Sequence, residues 1–323
     1  MSFAAGVKEE LAGVPLGNPC CRRAELAGVM LSAGSMHVRS GSLQAEVSTE
    51  SPVIARKVFK LIKSLYGIQP AMEQRERHRL NRNYSYRVTI EDGAAARKVL
   101  EDVGALDSTG MAGGVRADLV RLSCCEGAFL RGLFLGCGSM SDPGKGYHLE
   151  LVLEDESLAR SAVSLLAGSE INARIAVRNG KQVIYLKEAD HVSEFLAIIG
   201  AHSQMLRFES VRVEKGVRNT VNRVVNCDTA NLDKSLRAAA TQVENILLIE
   251  REGRLARLPE SLRQTAEARL ENPDATLERL GELIGVSKSG LNHRFRKIAE
   301  LAEDIRTREV PNHDNQETQY PNR

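Results

Sequence analysis

The sequence predicts an α+β protein: a duplicated αββαββα domain followed by an all-α helix-turn-helix domain. Three observations carry that prediction. Residues 20–36 (CCRRAELAGVMLSAGSM) return at 124–140 (CCEGAFLRGLFLGCGSM), an offset of 104 with nine of seventeen positions identical. Each copy heads the same succession of strand-period and helix-period hydrophobic patterns. The last third drops the strand period and carries two short helical patterns joined by a glycine turn.

The segment that opens each half has helical spacing, yet it holds a glycine in its middle (Gly28, Gly132) as well as at its end (Gly34, Gly138). A mid-helix glycine costs ~1 kcal/mol against alanine. Its recurrence points to two helix backbones in close approach. After the first copy, Leu43, Ala45 and Val47 alternate with Gln44, Glu46 and Ser48, the pattern of a half-buried strand. Residues 52–66 read as an amphipathic helix, with Pro52 suited to its first turn. A hairpin follows, whose return strand alternates Tyr84, Tyr86, Val88 and Ile90 with Ser85, Arg87 and Thr89. Residues 93–103 close the half as a helix.

After the second copy, Leu149, Leu151 and Leu153 alternate with His148, Glu150 and Glu154, and Val152 breaks the polar face. Residues 155–167 are helical. Ile175 and Val177 lead into Asn179-Gly180, the strongest short hairpin signal. Val183–Leu186 return, and 189–200 form a last helix. A Gly-rich link runs from Gly104 to Gly114. The expected divisions are an N-terminal segment at 1–19, half 1 at 20–105 and half 2 at 106–205.

A linker is expected over 206–250. Within it, RNTVNRVVNCDTANLDK places Arg218, Asn219, Asn222, Arg223, Asn226, Cys227, Asn231 and Lys234 close together. Asparagine is a poor helix former, so four of them are dense for plain scaffold. They read either as a polar cluster facing nucleic acid or a neighbouring domain, or as a polar linker with caps. A helix-turn-helix domain follows at 251–310, its motif at about 275–308. Residues 258–272 form a helix stopped before Asn272-Pro273. Thr276 caps the next, where Leu277, Leu280, Leu283 and Ile284 have helical spacing. Gly285 permits a sharp turn, and Ser287 opens the last helix, whose buried stripe is Leu291, Phe295, Ile298 and Leu301. Residues 287–297 hold Lys288, Arg294, Arg296 and Lys297 and no acid, a local charge of +4. Such helices reach base edges with their N-terminal half. The candidate DNA-binding residues are therefore Thr276, Ser287, Lys288, Ser289, Asn292, His293, Arg294, Arg296 and Lys297. Asparagine can pair bidentately with adenine and arginine with guanine, while the basic residues could equally hold phosphates. Residues 311–323 are polar and Pro-punctuated, the composition of a disordered tail.

Composition narrows the function classes. Of 323 residues, 42% are hydrophobic and 27% charged, an ordinary globular balance. Forty-four basic against 42 acidic residues give a net charge of +2, so a nucleic-acid surface must come from local clustering. Aromatics at 4% and no tryptophan argue against a stacking platform for single strands. The charged start and the lack of a long apolar run argue for a cytoplasmic protein. The six cysteines contain no C-x-x-C pair. Cys20, Cys21, Cys124 and Cys125 read as reduced packing residues, with no metal and no cofactor.

Two copies of a helix patterned L-x-G-x-x-x-x-x-G, each heading αββαββα, resemble the LAGLIDADG homing endonuclease fold. That resemblance implies two motif helices packed on a pseudo-twofold axis and two sheets forming a DNA saddle. It also implies an acidic metal ligand before the final glycine of each helix. Here Ala33 and Cys137 stand there, so no catalytic residue is carried over: alanine cannot bind a metal, and a lone thiol is a poor Mg²⁺ ligand. A surviving endonuclease would have to recruit other acids, such as Glu25 or Asp142. Joined to the helix-turn-helix, the opening SFAAGVKEEL, CCRRAELAG, GSMSDPGKGYHLE and RNTVNRVVNCDTAN resemble the WhiA family of bacterial sporulation and cell-division regulators. The resemblance implies a nucleoid-associated monomer that regulates septation genes. It would bind double-stranded promoter DNA at a GACAC-like element, with an RNA polymerase sigma factor and a WhiB-like protein as partners. The alternatives are an interaction scaffold for sigma factor, division or chromosome-segregation proteins, and a residual Mg²⁺-dependent endonuclease.

Three further patterns have plainer readings. GSMSDPGKG at 138–146 has five residues between Gly138 and Gly144 and Gly146 where a P-loop needs Ser or Thr, so it reads as a helix-to-strand turn. His37 and His148 follow the two motif helices and read as surface residues at strand starts. Arg75, Arg77 and Arg79 share one strand face, as do Arg174 and Arg178. These are either solvated edges or a basic saddle that touches DNA or protein.

Overall fold

The computed structural model describes residues 2–309 except 40, 78–82 and 109. Arg79 and the tail expected at 311–323 lie outside the described residues. The chain divides into two compact units, 1–217 and 218–323.

Unit 1 opens with α1 (Phe3–Gly13), a helix the linear sequence conceals because Lys8, Glu9 and Glu10 interrupt its apolar residues. Ser2 caps it, its hydroxyl accepting from the Ala5 amide at 3.2 Å. Phe3, Val7 and Leu11, four apart, form the buried face. The first half then runs α2 (Pro19–Ala33), β1 (Gly34–Arg39), β2 (Ser42–Thr49), α3 (Pro52–Tyr66), β3 (Ala71–Arg77), β4 (Asn83–Ile90) and α4 (Gly93–Asp102). In the Gly-rich link, β5 (Leu106–Asp107) pairs with β6 (Gly110–Met111), a small hairpin beyond the expected coil. The second half repeats the order: α5 (Ser123–Cys137), β7 (Gly138–Met140), β8 (Leu149–Leu153), α6 (Glu156–Gly168), β9 (Arg174–Arg178), β10 (Lys181–Leu186) and α7 (Ala189–Ile198). The two four-stranded antiparallel sheets have matching orders, β1-β2-β4-β3 and β7-β8-β10-β9. Asn179 and Gly180 close the β9–β10 hairpin with φ of 50° and 76°, the paired positive values that a tight two-residue hairpin requires.

The alternating positions sort as the sequence implies. Ala45, Val47, Val88 and Ile90 face the helices in one sheet, and Leu149, Leu151, Ile184 and Leu186 do so in the other. The glycines have a steric reason. A Cβ on Gly28 would stand 2.3 Å from the Phe129 carbonyl oxygen, and one on Gly132 would stand 2.2 Å from that of Glu25. Helices α2 and α5 thus touch backbone to backbone, and each half contributes its glycine to the same contact.

The expected linker is instead one helix, α8 (His202–Arg251). Its start packs in unit 1. Glu10 accepts from the amides of Ser203 and Gln204 at 2.8 and 2.9 Å, and Phe208 is buried against Tyr147. Its end packs in unit 2 through Ile246 and Ile249. Asparagine lowers helix propensity by only a fraction of ~0.7 kcal/mol per residue. Four asparagines among Val, Leu, Ala and Arg are therefore outweighed by burial at the two ends.

In unit 2, α9 (Glu260–Glu271), α10 (Leu277–Ile284) and α11 (Lys288–Glu309) surround a small core of Leu262, Ala266, Leu280, Leu291, Phe295 and Ile298. Thr276 caps α10, its hydroxyl accepting from the Arg279 amide at 3.3 Å. Gly285 ends the helix at φ 67°.

Candidate nucleic-acid interface

The turn between α10 and α11 is set by sterics and capping. A Cβ on Gly281 would meet the Val286 carbonyl oxygen at 2.4 Å, so the turn folds back onto α10 only over a glycine. The Ser287 hydroxyl then accepts from the Gly290 amide at 3.2 Å. Leu291, Phe295 and Ile298 anchor α11 inward, Leu301 is half-buried, and Ala302 and Ile305 continue the buried stripe.

Opposite that stripe, Ser287, Lys288, Ser289, Asn292, His293, Arg296 and Lys297 are exposed. Ser289, Asn292, His293 and Arg296 recur at three- and four-residue spacing, so they form one outward row. The Arg296 guanidinium lies 2.9 Å from His293 Nδ1. Lys288 holds Glu278 of α10 at 2.9 Å and keeps that carboxyl below the ordinary carboxylate range. Thr276 serves α10 as its cap. Arg294 departs from the expected outward face. It is half-buried, and its Nη1 donates to the Ser261 carbonyl at 3.1 Å and the Thr265 hydroxyl at 3.2 Å. It is spaced with the anchoring residues rather than the outward row, so it ties α11 to α9.

Sequence reasoning missed Arg269. Its side chain is 1% exposed. Nε donates to Gln242 Oε1 at 3.0 Å, and Nη1 donates to the carbonyls of Asn272, Pro273 and Ala275 at 3.3, 3.3 and 2.6 Å. The guanidinium also stacks 5.4 Å from the Phe295 ring centre. It closes the carbonyls that the Pro273 turn leaves open between α9 and α10. The one signal was positional: Arg269 continues the spacing of Leu262, Thr265 and Ala266.

Arg218, Asn219, Asn222, Arg223, Asn226, Cys227, Asn231 and Lys234 are all exposed along α8. Asn219, Asn222, Arg223, Asn226 and Cys227 share a face, at ~100° per residue. The Arg223 Nε donates to the Asn219 carbonyl at 3.3 Å, and Asn231 approaches the Cys227 sulfur at 3.7 Å.

On the face of the first sheet opposite Ala45, Val47, Val88 and Ile90, Arg75 pairs with Glu73 at 3.0 Å and Arg87 with Glu46 at 2.9 Å. Arg77 is the last residue of β3, paired with Asn83. On the second sheet, Arg174 is exposed, and Arg178 pairs with Glu150 at 2.8 Å. His148 also bonds Glu150 at 2.6 Å; burial would raise this carboxyl, but His148 and Arg178 outweigh it and hold it low. His37 bonds Ser35 in its own sheet, so the two histidines are engaged separately.

The positions of the nuclease acids lie at the C-terminal ends of α2 and α5. Cys137 is protonated at neutral pH: burial pushes its thiol up to about 12. The Cys137 thiol donates to the Leu133 carbonyl at 3.3 Å; the Lys8 amine of α1, 5.9 Å from the Phe134 ring centre, acts on that thiol through its charge, and burial lowers that amine. Here a cation, rather than a carboxylate, lies beside the position. The two acids open to recruitment are committed elsewhere. Glu25 is buried between Lys57 at 3.4 Å and Arg131 at 3.1 Å. Asp142 accepts from the Gly144 amide at 2.8 Å and closes the 138–146 segment as a turn.

The four N-terminal cysteines of α2 and α5 are not merely packed at separate helix starts. The Sγ atoms of Cys20, Cys21 and Cys125 lie within 4.8 Å of one another, with Cys20 and Cys21 at 4.0 Å; Cys124 precedes Cys125 in the first turn of α5, and its thiol acts on those of Cys21 and Cys125. Hydrogen bonding from Cys125 lowers the Cys20 thiol, while burial raises Cys21 to about 11 and Cys125 further.

Three family models match: the WhiA N-terminal LAGLIDADG-like domain at 19–106, the WhiA LAGLIDADG-like domain at 126–218, and the WhiA C-terminal HTH domain at 221–302. A relative from Alkaliphilus metalliredigens, named a probable cell division protein WhiA, is 42% identical over 317 residues, covering 96% of this chain and 100% of its own. The chain belongs to the WhiA family. A second such relative, from Desulfitobacterium hafniense strain Y51, is 44% identical over 313 residues, covering 94% of this chain and 96% of its own. The crystal structure of full-length DUF199/WhiA from Thermatoga maritima matches with a TM-score of 0.59 at 27% identity, covering 94% of this chain and 99% of that one. The WhiA helix-turn-helix model takes in α8 from residue 221, α9, α10 and α11 as far as residue 302, where the exposed row lies. Among the described residues, no helix is long and apolar enough to cross a membrane.

Proposed function

We propose that this WhiA-family chain is a non-enzymatic, sequence-specific DNA-binding regulator of cell division. It would act at the nucleoid on promoters of division and sporulation septation genes that carry a GACAC-like element. The observation that carries this is the outward row on α11: Ser289, Asn292, His293 and Arg296, flanked by Lys288 and Lys297 and held out by a buried stripe on the opposite side. Asn292 and Arg296 have the chemistry to read base edges and Lys297 to hold a phosphate, while Lys288 would have to exchange Glu278 for one.

The test is fluorescence anisotropy of the full chain on a GACAC duplex and a scrambled one, over a range of salt. Asn292→Ala is expected to cost ~1–3 kcal/mol of discrimination at one base pair. Arg296→Ala with Lys297→Ala is expected to weaken both duplexes and to reduce the salt slope by about 1 for each phosphate no longer held. Unchanged affinity and slope would remove α11 from the interface. Arg294 is unsuited to this test, because its removal would loosen α9 from α11.

Loss of nuclease chemistry is supported by Ala33, by the neutral thiol of Cys137, and by the engagement of Glu25 and Asp142. Supercoiled plasmid held with excess protein and Mg²⁺ is expected to stay intact; Mg²⁺-dependent nicks would restore the endonuclease reading. A second role is supported by the arginine-bearing sheet faces. Arg75, Arg87 and Arg178 are each neutralised by an acid on their own face, a mosaic that suits a protein partner better than phosphates. A sigma factor or WhiB-like protein fits that role through the family resemblance. Reversing Arg178 and Arg174 to Glu in the full chain should abolish such capture while leaving duplex affinity intact.

A further inference from the structure

The duplication sets the thiols that the chain carries as two adjacent pairs, offset by 104 residues, at two neighbouring helix starts, and brings three of them within 4.8 Å of one another. Cys20 and Cys21 occupy the first turn of α2, and Cys124 and Cys125 the first turn of α5. These are the N-terminal ends of the helices whose middles touch at Gly28 and Gly132. The glycine contact therefore fixes the separation of the two sulfur pairs.

Three of the sulfurs have spacings that suit three corners of a tetrahedral thiolate site, and Cys124, next to Cys125, is the thiol at hand for the fourth. Zinc–sulfur bonds of ~2.3 Å place the sulfurs of a tetrahedron about 3.8 Å apart. Cys20 and Cys21 are 4.0 Å apart, and with Cys125 all three sulfurs fall within 4.8 Å. Disulfide sulfurs stand ~2.05 Å apart, far closer than these. Two of the four thiols are buried and two exposed, so the cluster has both a dry side and an entry side. The helix ends add charge complementarity. Neither Asn18 nor Leu122 caps its helix with a side-chain hydrogen bond among the described residues. Pro19 has no amide hydrogen and the Cys125 amide donates to the Leu122 carbonyl at 2.8 Å, but each helix end still carries about half a positive charge, which favours a negative group. Four thiolates around a divalent cation carry a net charge of −2, which two converging helix ends partly offset.

We propose that Cys20, Cys21, Cys124 and Cys125 form a binding site for a soft, thiophilic cation, Zn²⁺, that clamps the two motif helices together at their N-terminal ends. Four thiols release four protons as four zinc–sulfur bonds form, and no electron is transferred. The site lies at the end of the helices opposite Ala33 and Cys137, so it is a structural site rather than a relic of the nuclease centre.

The test uses the full chain, purified reduced, stripped with chelator and titrated with Co²⁺ under argon. The expected result is one equivalent bound, with sulfur-to-cobalt charge-transfer bands and the intense visible bands of tetrahedral cobalt, bleached by one equivalent of Zn²⁺. Cys20→Ser and Cys124→Ser alter exposed positions, so the fold should survive. Each is expected to weaken Co²⁺ binding at least tenfold, and the pair to abolish the bands. Zn²⁺ should raise the thermal midpoint of the parent chain and leave that of the double variant in place. Absence of the bands in parent protein with its thiols titrated as free would overturn the proposal. So would bands that persist in the double variant, or thiols that pair as disulfides on mild oxidation while never binding Co²⁺.

Discussion

Arg269 shows how much one buried cation decides in a small helical domain. Its guanidinium holds three carbonyls at the α9–α10 turn, a glutamine of α8 and the face of Phe295. Arg269→Met keeps the stem's packing but strands those carbonyls. Each buried group left unsatisfied costs ~1–3 kcal/mol, so the variant should lose at least about 2 kcal/mol in urea unfolding of the full chain. A loss under about 0.5 kcal/mol would mean that water replaces the guanidinium. Arg294 carries a related lesson. Sequence places it among the DNA-binding residues because it sits in a basic run, but charge content does not say which way a side chain leaves the helix. Its spacing from Leu291 and Ile298, three and four residues, was the better guide.

At the scale of elements, the crossing of α2 and α5 is the most demanding feature of unit 1. The Cβ of Gly28→Ala would stand 2.3 Å from the Phe129 oxygen, and the obstacle is backbone rather than a movable side chain. Overpacking of a tight core typically costs ~1–3 kcal/mol, and here both helices must separate. Gly28→Ala should therefore lower the thermal midpoint clearly, while Gly13→Ala on α1, with open space at its Cβ, should not. Equal effects would mean that the crossing is loose. Helix α8 teaches the converse. Its asparagines argue for a linker, yet local propensity loses to the burial of Phe208 at one end and Ile246 and Ile249 at the other. The outward face they form remains a candidate surface, because nothing in helix formation requires them.

For the whole molecule, the two halves meet through polar ties as well as the helix crossing. Arg23 of α2 reaches Asp102 within its own half at 3.2 Å and Asp118, past the Gly-rich link in the second half, at 3.1 Å, and Arg131 of α5 reaches Glu25 of α2 at 3.1 Å. Hydrogen bonding from Arg116 holds the Asp118 carboxyl below its usual value, with Arg23 adding to the effect. A carboxyl depressed on folding stabilises fully above its unfolded pKa and loses that contribution as pH falls through its folded one. Asp118→Asn should thus be slightly less stable than the parent at pH 7, and the gap should close below about pH 4. A gap that stayed constant down to pH 2 would show that Asp118 acts through packing alone. Both partners are half-exposed, so added salt should also narrow it.

The sequence by itself determined the duplication, the alternation in both sheets, the hairpin at Asn179-Gly180, the close helix crossing and the helix-turn-helix with its caps. Each of these rests on residues near one another in the chain, or on a pattern that repeats, and local sterics and periodicity are written there. Tertiary structure alone decided which way Arg294 faces, what Arg269 holds, that α8 is continuous, and that Cys20 and Cys21 of one half meet Cys125 of the other. Those outcomes depend on which faces meet between elements far apart in the chain. Spacing along a single strand or helix cannot encode such a meeting, because it is set by the packing of every other element around it.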